Sequence, residues 1–426
     1  MSDSANHVAR HNSELARRVA EFCRRDHVPP TSATRDSFPS SPLWRAVTAT
    51  GTSVWLDTGD IDAIAGLWTR EFTALTTNNS LLNKEVQKGL YDELVPSVAK
   101  LVREVAPGAN PRTVVLETAF VLNAVHGLDL VRRFDADVSV ELHTDLSHDS
   151  DASYEFGKRF AVIEPARFIV KVPLTPAGII AARRLTDDGI RVNFTLGFSA
   201  RQNYAIARLA RPRWVNVFMG RLNSFVGDSE LGSGDYVGER ATLHSQRMLR
   251  QLRDRHDLDV LQIGASIRNG RQVIELCGVD VLTIPLAAAR QFLDSAVDPD
   301  DVRDHSGDDP VVTIDDPIHR DKIAAFWNVD DATRQAVDRL ADRDVGAMSA
   351  ADLQAAFTAA RSDLFPALAE DDRARIRAEG KLPLFATWRE RVERGDASWD
   401  GLMSEAALGA FAVDQSALDE RIRASL

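Results

Sequence analysis

The stretch FIVKVPLTPAGIIAARRLTDDGIRVNFTL, residues 168–196, decides the reading of the fold. It opens with an apolar run, FIVKVP (168–173). It turns through Thr-Pro into the helical pattern PAGIIAARRLTDDG, which stops at Asp-Gly, and then enters a second run, RVNFTL (191–196). Pro suits the first turn of a helix, and Gly suits the position just past its end. A strand, a helix and a second strand in this order form the unit of a parallel sheet. Lys171 stands in the middle of the first run, where an inert core strand carries Val or Ile.

The alternation continues in both directions. Further runs are SVWLDT (53–58), TALTTN (73–78), DVSVEL (137–142), WVNVFMGR (214–221), VLQIGAS (260–266) and VLTIP (281–285). Eight runs over this length predict an α/β fold, a (β/α)8 TIM barrel with additional helices at the N-terminus and C-terminus. An open doubly wound sheet is the alternative, but no glycine-rich dinucleotide turn follows any run. Residues 6–27 carry Val8, Leu15, Val19 and Phe22 at helical spacing and predict an amphipathic helix. Residues 29–42 are rich in Pro and Ser and read as a linker. The organised region is expected to start near Thr52. Beyond residue 286 the strands stop and helical patterns take over, separated by an acidic loop at 298–309 that reads as solvated. The expected division is 1–49 for the N-terminal helix and linker and 50–343 for the barrel. A helical insertion follows at 344–408, then a C-terminal helix at 409–426 that returns to the barrel.

Bulk properties narrow the function. The chain has 426 residues, 44% apolar, with a net charge of −12 and a pI near 5.4. An acidic surface argues against nucleic acid as a partner, because phosphate backbones require a basic footprint. It still allows a small anionic substrate in a locally basic pocket. The two cysteines, Cys23 and Cys277, form no CxxC spacing, and no His/Cys ligand pattern predicts a metal or other cofactor. No apolar run reads as a membrane span, and the N-terminus lacks a signal-peptide core. The expectation is a cytoplasmic protein with no membrane partner. A homodimer remains open.

In a (β/α)8 barrel the chemistry sits at the C-terminal strand ends. There the runs carry Asp57, Asn78, Glu141, Lys171, Asn193, Thr195, Asn216, Arg221, Ser266 and Arg268. Taken singly, an Asp or Asn at a strand end is a turn former or helix cap, and an Arg is a surface salt bridge. Taken together they form a constellation. An amine among apolar walls is desolvated, which disfavours its charged form and leaves a nucleophile for carbonyls, the setting of a Schiff-base lysine. Asp57 and Glu141 can move protons as general base and acid. Arg221, Arg268 and Ser266 suit an anionic group such as a phosphate.

With these residues in hand, the chain resembles the transaldolase family over about residues 52–345 and again near residue 410. The resemblance is carried by WLDTGDIDAI, TTNNSLL, VSVELHTDLSHD, KVPLTPAGIIAARRL, GIRVNFTLGFSARQ, FMGRL, GASIRN, ELCGVDVLTI and AFAVDQSALDERI. It implies that Lys171 forms the Schiff base with a ketose and that Asp57 takes the proton from the C4 hydroxyl. A dihydroxyacetone unit then passes between sugar phosphates, as in the non-oxidative pentose phosphate pathway. Glu141 and Thr195 are implied to hold the water that shuttles protons. Asn78 and Asn193 would bind the dihydroxyacetone unit, and Arg221, Ser266 and Arg268 the substrate phosphate. No cofactor is implied.

Four departures stand out. Asn79 replaces a usual Pro, and Asn216 replaces a usual Ser. KVPLT (171–175) is closer to the small aldolase branch of the superfamily, whereas Phe218 leans the other way: the branch that releases free dihydroxyacetone carries Tyr there, so Phe fits transfer. Residues 344–408 separate two patterns that ordinarily adjoin; the segment reads as a surface decoration, or as a lid or subunit contact. Two other readings stay open: a transaldolase-like aldolase with a different acceptor in specialised metabolism, and a barrel that binds sugar phosphates without catalysis.

Overall fold

The computed structural model describes residues 8–426. Its centre is a closed barrel of eight parallel strands in sequence order. They are β1 (Ser53–Asp57), β2 (Phe72–Thr76), β3 (Asp137–Glu141), β4 (Phe168–Pro173), β5 (Val192–Thr195), β6 (Trp214–Phe218), β7 (Leu261–Ala265) and β8 (Val281–Ile284). The seam closes where β1 pairs with β8, from Ser53 against Val281 to Leu56 against Ile284. All eight expected strands form, but most stop short of the expected end, because the last residues of each run already belong to the loop. Residue 78 lies beyond β2, and residues 219–221 are not strand at all. Arg221 sits in the first turn of the helix Met219–Asp228.

The period of two along each strand explains the polar residues. Trp55, Ala74, Ile169, Trp214, Ile263 and Val281 form an apolar layer inside the barrel, with the Trp55 and Trp214 rings 5.3 Å apart. Two residues further along the same strands come Asp57, Thr76, Lys171, Asn216, Ala265 and Thr283. Successive side chains alternate across a strand, so these share the inward face one layer nearer the C-terminal mouth. Intervening residues such as Leu56, Val140, Val170 and Val172 belong to the large outer core.

The N-terminal region is more structured than expected. The helix Glu14–Arg24 is capped by Ser13, and its predicted beginning is not helical at residues 8–13; residues 6 and 7 lie outside the described residues. The expected linker contains the helix Ser32–Asp36 and leads into Pro42–Ala49. Trp44 and Val47 of the latter are fully buried, and the Trp44 ring lies 5.0 Å from Phe72 and 4.7 Å from Phe292. Ordered packing therefore begins before Thr52.

The helix Pro111–Phe134 is long and apolar enough to cross a membrane by length and composition, so one such segment does exist. Here it is a core helix. Its Glu117 is paired with Arg159, both buried, and its Asn123 and His126 pack inside the protein.

The acidic loop is also not merely solvated. Asp309 pairs with Arg240 and His244. Arg247 donates to the carbonyls of Ser306 and Asp308, and Arg250 donates to Ser306 Oγ.

The segment after residue 344 holds the helices Ala350–Ala359, Glu370–Glu379 and Phe385–Arg394, then the long helix Trp399–Ala424. The expected boundary at 408/409 falls inside that last helix, which is continuous. A buried ion cluster joins the segment to the barrel. Arg201, just after β5, grips Asp400 through Nε and Nη2 at 2.8 Å each. Its Nη1 reaches Asp363 at 2.7 Å and Asp330 at 3.1 Å.

Candidate active site

The strand ends surround a cavity of about 160 Å³ lined by Asp57, Asn78, Lys171, Asn193, Asn216, Phe218, Arg221, Ser266 and Arg268. Nine of the eleven residues singled out in the sequence therefore face one space. Glu141 and Thr195 are buried and stand behind the lining.

Lys171 is held on β4 between Glu141 and Asn193, its register partners on β3 and β5. Its Nζ donates to the Thr77 carbonyl at 2.9 Å and lies 3.7 Å from Glu141 Oε2. Burial raises Glu141 above the ordinary carboxylate range, and the lysine charge only partly offsets this. Burial likewise raises Asp57, against the opposing pull of Lys171 and of the Thr76 hydroxyl bond. Thr76 Oγ1 donates to Asp57 Oδ1 at 2.8 Å and lies 2.6 Å from Thr283 Oγ1. A carboxyl that shifts upward sits closer to a working range for proton transfer.

Among the described residues three buried polar atoms near Lys171 accept no hydrogen bond from the protein: Glu141 Oε2, Asn193 Oδ1 and Thr195 Oγ1. Unsatisfied buried oxygens are costly, and a cluster of them on adjacent strands is a place for a bound hydroxyl or water. The other end of Asn193 is committed, since its Nδ2 donates to Ser139 Oγ at 3.1 Å.

Asn78 has two uses. Its Oδ1 caps the helix Asn79–Gln87 by accepting from the Leu81 N–H at 2.8 Å, and it also lines the cavity. The cap holds the carboxamide still and leaves Nδ2 as a donor. Asn79, the residue in place of proline, donates from Nδ2 to the Leu142 carbonyl at 3.2 Å. Its main-chain N–H faces the Glu141 carboxylate, a donor that proline lacks. Asn216 accepts from the Gly197 N–H at 3.3 Å.

The far end of the cavity is cationic. Burial and the facing Arg268 lower the Arg221 guanidinium to about 10. Among the described residues neither arginine makes an ion pair with a carboxylate, although the Arg268 charge is felt at Asp57, and the two like charges face each other. That arrangement suits an anion. The Arg268 side chain passes so close to Gly220 that a Cβ there would collide with it.

Thr76, Thr283 and Phe411 also line the cavity and were not singled out in the sequence. Thr76 and Thr283 lay unremarked within expected strands, although the period of two would have placed them inward. Phe411 arrives from the helix Trp399–Ala424, and the Lys381 carbonyl accepts from Arg221 Nη1 at 3.4 Å. These last two contacts join residues far apart in the chain.

Fold and cavity together define a (β/α)8-barrel protein with a lysine-centred site at the C-terminal ends of its strands. The chain belongs to the transaldolase/fructose-6-phosphate aldolase family, whose model matches residues 54–349. It is 32% identical over 240 residues to a transaldolase of Gloeobacter violaceus, covering 55% of this chain and 60% of that one. It is 30% identical over 247 residues to a transaldolase of Photorhabdus laumondii, covering 57% and 76%. A probable transaldolase of Dictyostelium discoideum is 29% identical over 239 residues, covering 55% and 73%.

Proposed function

We propose that the chain is a transaldolase that moves a dihydroxyacetone unit between sugar phosphates through a Schiff base on Lys171, as in the non-oxidative pentose phosphate reactions. The observation that carries the proposal is the arrangement of the cavity: a buried lysine beside two carboxyl groups at one end, and two arginines without a carboxylate ion pair, among the described residues, at the other. Family membership supports it.

In this reading the Lys171 amine adds to the ketose C2 carbonyl, and loss of water gives an iminium. The Asp57 carboxylate takes the proton of the C4 hydroxyl, and the C3–C4 bond breaks. The bond's electron pair moves into the iminium, so an enamine stays on Lys171 while the aldose phosphate leaves. An acceptor aldehyde then enters, the enamine carbon attacks it, and Asp57 returns the proton to the new alkoxide. Water bound by Glu141 Oε2 and Thr195 Oγ1 carries protons while the Schiff base forms and hydrolyses. Asn78 and Asn193 hold the dihydroxyacetone hydroxyls. Arg221, Arg268 and Ser266 hold the phosphate. Phe218 has no hydroxyl to activate a water that would release the unit, which favours transfer.

Asn216 favours a second reading, an aldolase of the same mechanism with a different acceptor, because its carboxamide reaches further into the cavity than a serine would. The test is sodium borohydride reduction with fructose 6-phosphate, followed by peptide mass mapping. The expected result is a dihydroxyacetone-derived adduct on Lys171, lost in Lys171→Ala together with several orders of magnitude of activity. Transfer activity that survived in Lys171→Ala would refute the mechanism. An adduct on Lys171 without transfer to glyceraldehyde 3-phosphate or erythrose 4-phosphate would favour the second reading.

A further inference from the structure

Asn79 is the first residue of the helix Asn79–Gln87. Proline is favoured at that position, because its N–H has no partner inside the helix. The backbone here would accept one: Asn78 ahead of it is extended, with φ −155° and ψ 171°, as the residue before a proline prefers. An asparagine at this point gives up a rigid turn and keeps an N–H. That N–H faces the Glu141 carboxylate, and Asn79 is buried, so water is not the alternative partner.

The side chain secures the arrangement. Its Nδ2 donates at 3.2 Å to the carbonyl of Leu142, the residue after Glu141. The Leu142 N–H in turn donates to the Lys171 carbonyl at 3.1 Å. Two residues earlier the same turn meets the reactive end of Lys171, where the Thr77 carbonyl accepts from Nζ at 2.9 Å. Thr77 is fixed to β3 by its N–H and its Oγ1, which donate to the Ser139 carbonyl at 3.2 and 3.0 Å. Residues 77–79 thus touch the amine, the cavity and the Glu141 carboxylate in succession. The charges that bear on this carboxylate are Lys171 from β4 and Asp57 from β1. The adjacent β5 carries the neutral Asn193 and Thr195. On the outer side Asn123 of the helix Pro111–Phe134 donates to the Glu141 main-chain carbonyl at 2.8 Å. Since Lys171 spends its bond on Thr77 and stands 3.7 Å from Glu141, a neutral donor at the carboxylate matters.

We propose that Asn79 is a positioning residue of the lysine centre: its carboxamide anchors the turn to β3, and its main-chain N–H holds the Glu141 carboxylate as proton acceptor while the Schiff base forms and hydrolyses. The role in those steps rests on the reaction proposed above; the contact with Glu141 does not. A carboxylate that loses an N–H donor is easier to protonate, so without this contact Glu141 titrates at higher pH.

Two variants separate the N–H from the side chain. Asn79→Ala removes the carboxamide and keeps the N–H, whereas Asn79→Pro removes both. Infrared difference spectroscopy across pH follows Glu141, its carboxyl band assigned by its loss in Glu141→Gln. Asn79→Pro should raise the Glu141 midpoint by about one pH unit, and Asn79→Ala by less than about a third of that. Between the wild-type and Asn79→Pro midpoints, borohydride trapping of Lys171 with fructose 6-phosphate should be roughly threefold or more slower in Asn79→Pro than in Asn79→Ala. If Asn79→Pro does not fold, the wild type decides by nuclear magnetic resonance: the Asn79 amide proton should move through the Glu141 transition and stay still in Glu141→Gln. An unmoved midpoint in folded Asn79→Pro, equal shifts or equal trapping rates in the two variants, or an amide resonance that ignores Glu141 would overturn the proposal. The expected titration with no Lys171 adduct in any of the proteins would support the contact and count against the proposed reaction.

Discussion

Arg201→Met is the most informative single change for the architecture. The guanidinium is buried and makes two bonds to Asp400, which is itself fully buried and also accepts from Ser199 Oγ at 2.7 Å. Burial pushes the Asp400 carboxyl up, but Arg201, with the Ser199 and Ser398 hydroxyls, holds it below the ordinary value. Removing the arginine leaves a buried carboxylate with no cation. Breaking one partner out of a buried pair costs about 3–5 kcal/mol. Unfolding entropy of about 2.1 cal/mol/K per residue over 426 residues amounts to roughly 0.9 kcal/mol/K, so Tm should fall by roughly 3–6 °C.

The double variant Arg201→Met, Asp400→Leu should recover to within about 2 °C of the wild type, because a packed apolar pair replaces an ion pair at little cost. Asp330, the more open of the two remaining carboxylates, is 42% exposed and can return to water. The deficit of the single variant should also shrink in acid. A lowered carboxyl stabilises the fold above its unfolded value near 3.9, and that contribution is lost as pH falls through the lower folded value. Scanning calorimetry across pH measures all three proteins. A single variant within about 1 °C of the wild type, or a double variant as unstable as the single, would refute the claim that this cluster bolts the helical segment after residue 344 to the barrel.

Other consequences are simpler to test. Arg221→Ala should raise KM for phosphorylated acceptors by at least tenfold and leave unphosphorylated glyceraldehyde nearly unaffected; equal effects would remove the anion assignment. Asp57→Asn should abolish transfer and yet raise Tm at neutral pH, because burial makes the ionised carboxylate costly. That gain should fade as pH falls toward the ordinary Asp value near 3.9, where the wild-type group is protonated in both states. A lower Tm at neutral pH would contradict this. Cys23 and Cys277 are buried and their thiols are pushed up to about 12, so the folded protein should resist iodoacetamide at pH 8 and react once unfolded.

The barrel was legible because its signals are local. Apolar runs, helix stops at Gly and polar strand ends recur within short windows. The constellation from Asp57 to Arg268 was legible for the same reason. Asn78 shows why the bland and functional readings need not compete: it caps a helix and lines the cavity. Arg221 was placed on a strand because FMGRL follows an apolar run without a break, whereas the chain bends at Phe218. What sequence pattern could not show is pairing across distance. Ser404 Oγ donates to the Leu196 carbonyl at 2.8 Å, next to Thr195. Arg201 finds Asp400, and Arg247 and Arg250 tie down an acidic loop. None of these contacts leaves a periodic trace.

The helix Pro111–Phe134 has a consequence for the life of the protein before it is folded. Nearly every face of it is covered in the native state, so almost none of its apolar surface is safe to expose. Its buried Glu117 waits for Arg159, over forty residues later in the chain, and His126 meets Tyr91 at 2.7 Å. Until those partners close around it, the segment leaves a long apolar surface open to water. Refolding yield should therefore fall with protein concentration, and a chaperone that binds extended apolar segments would meet this one first.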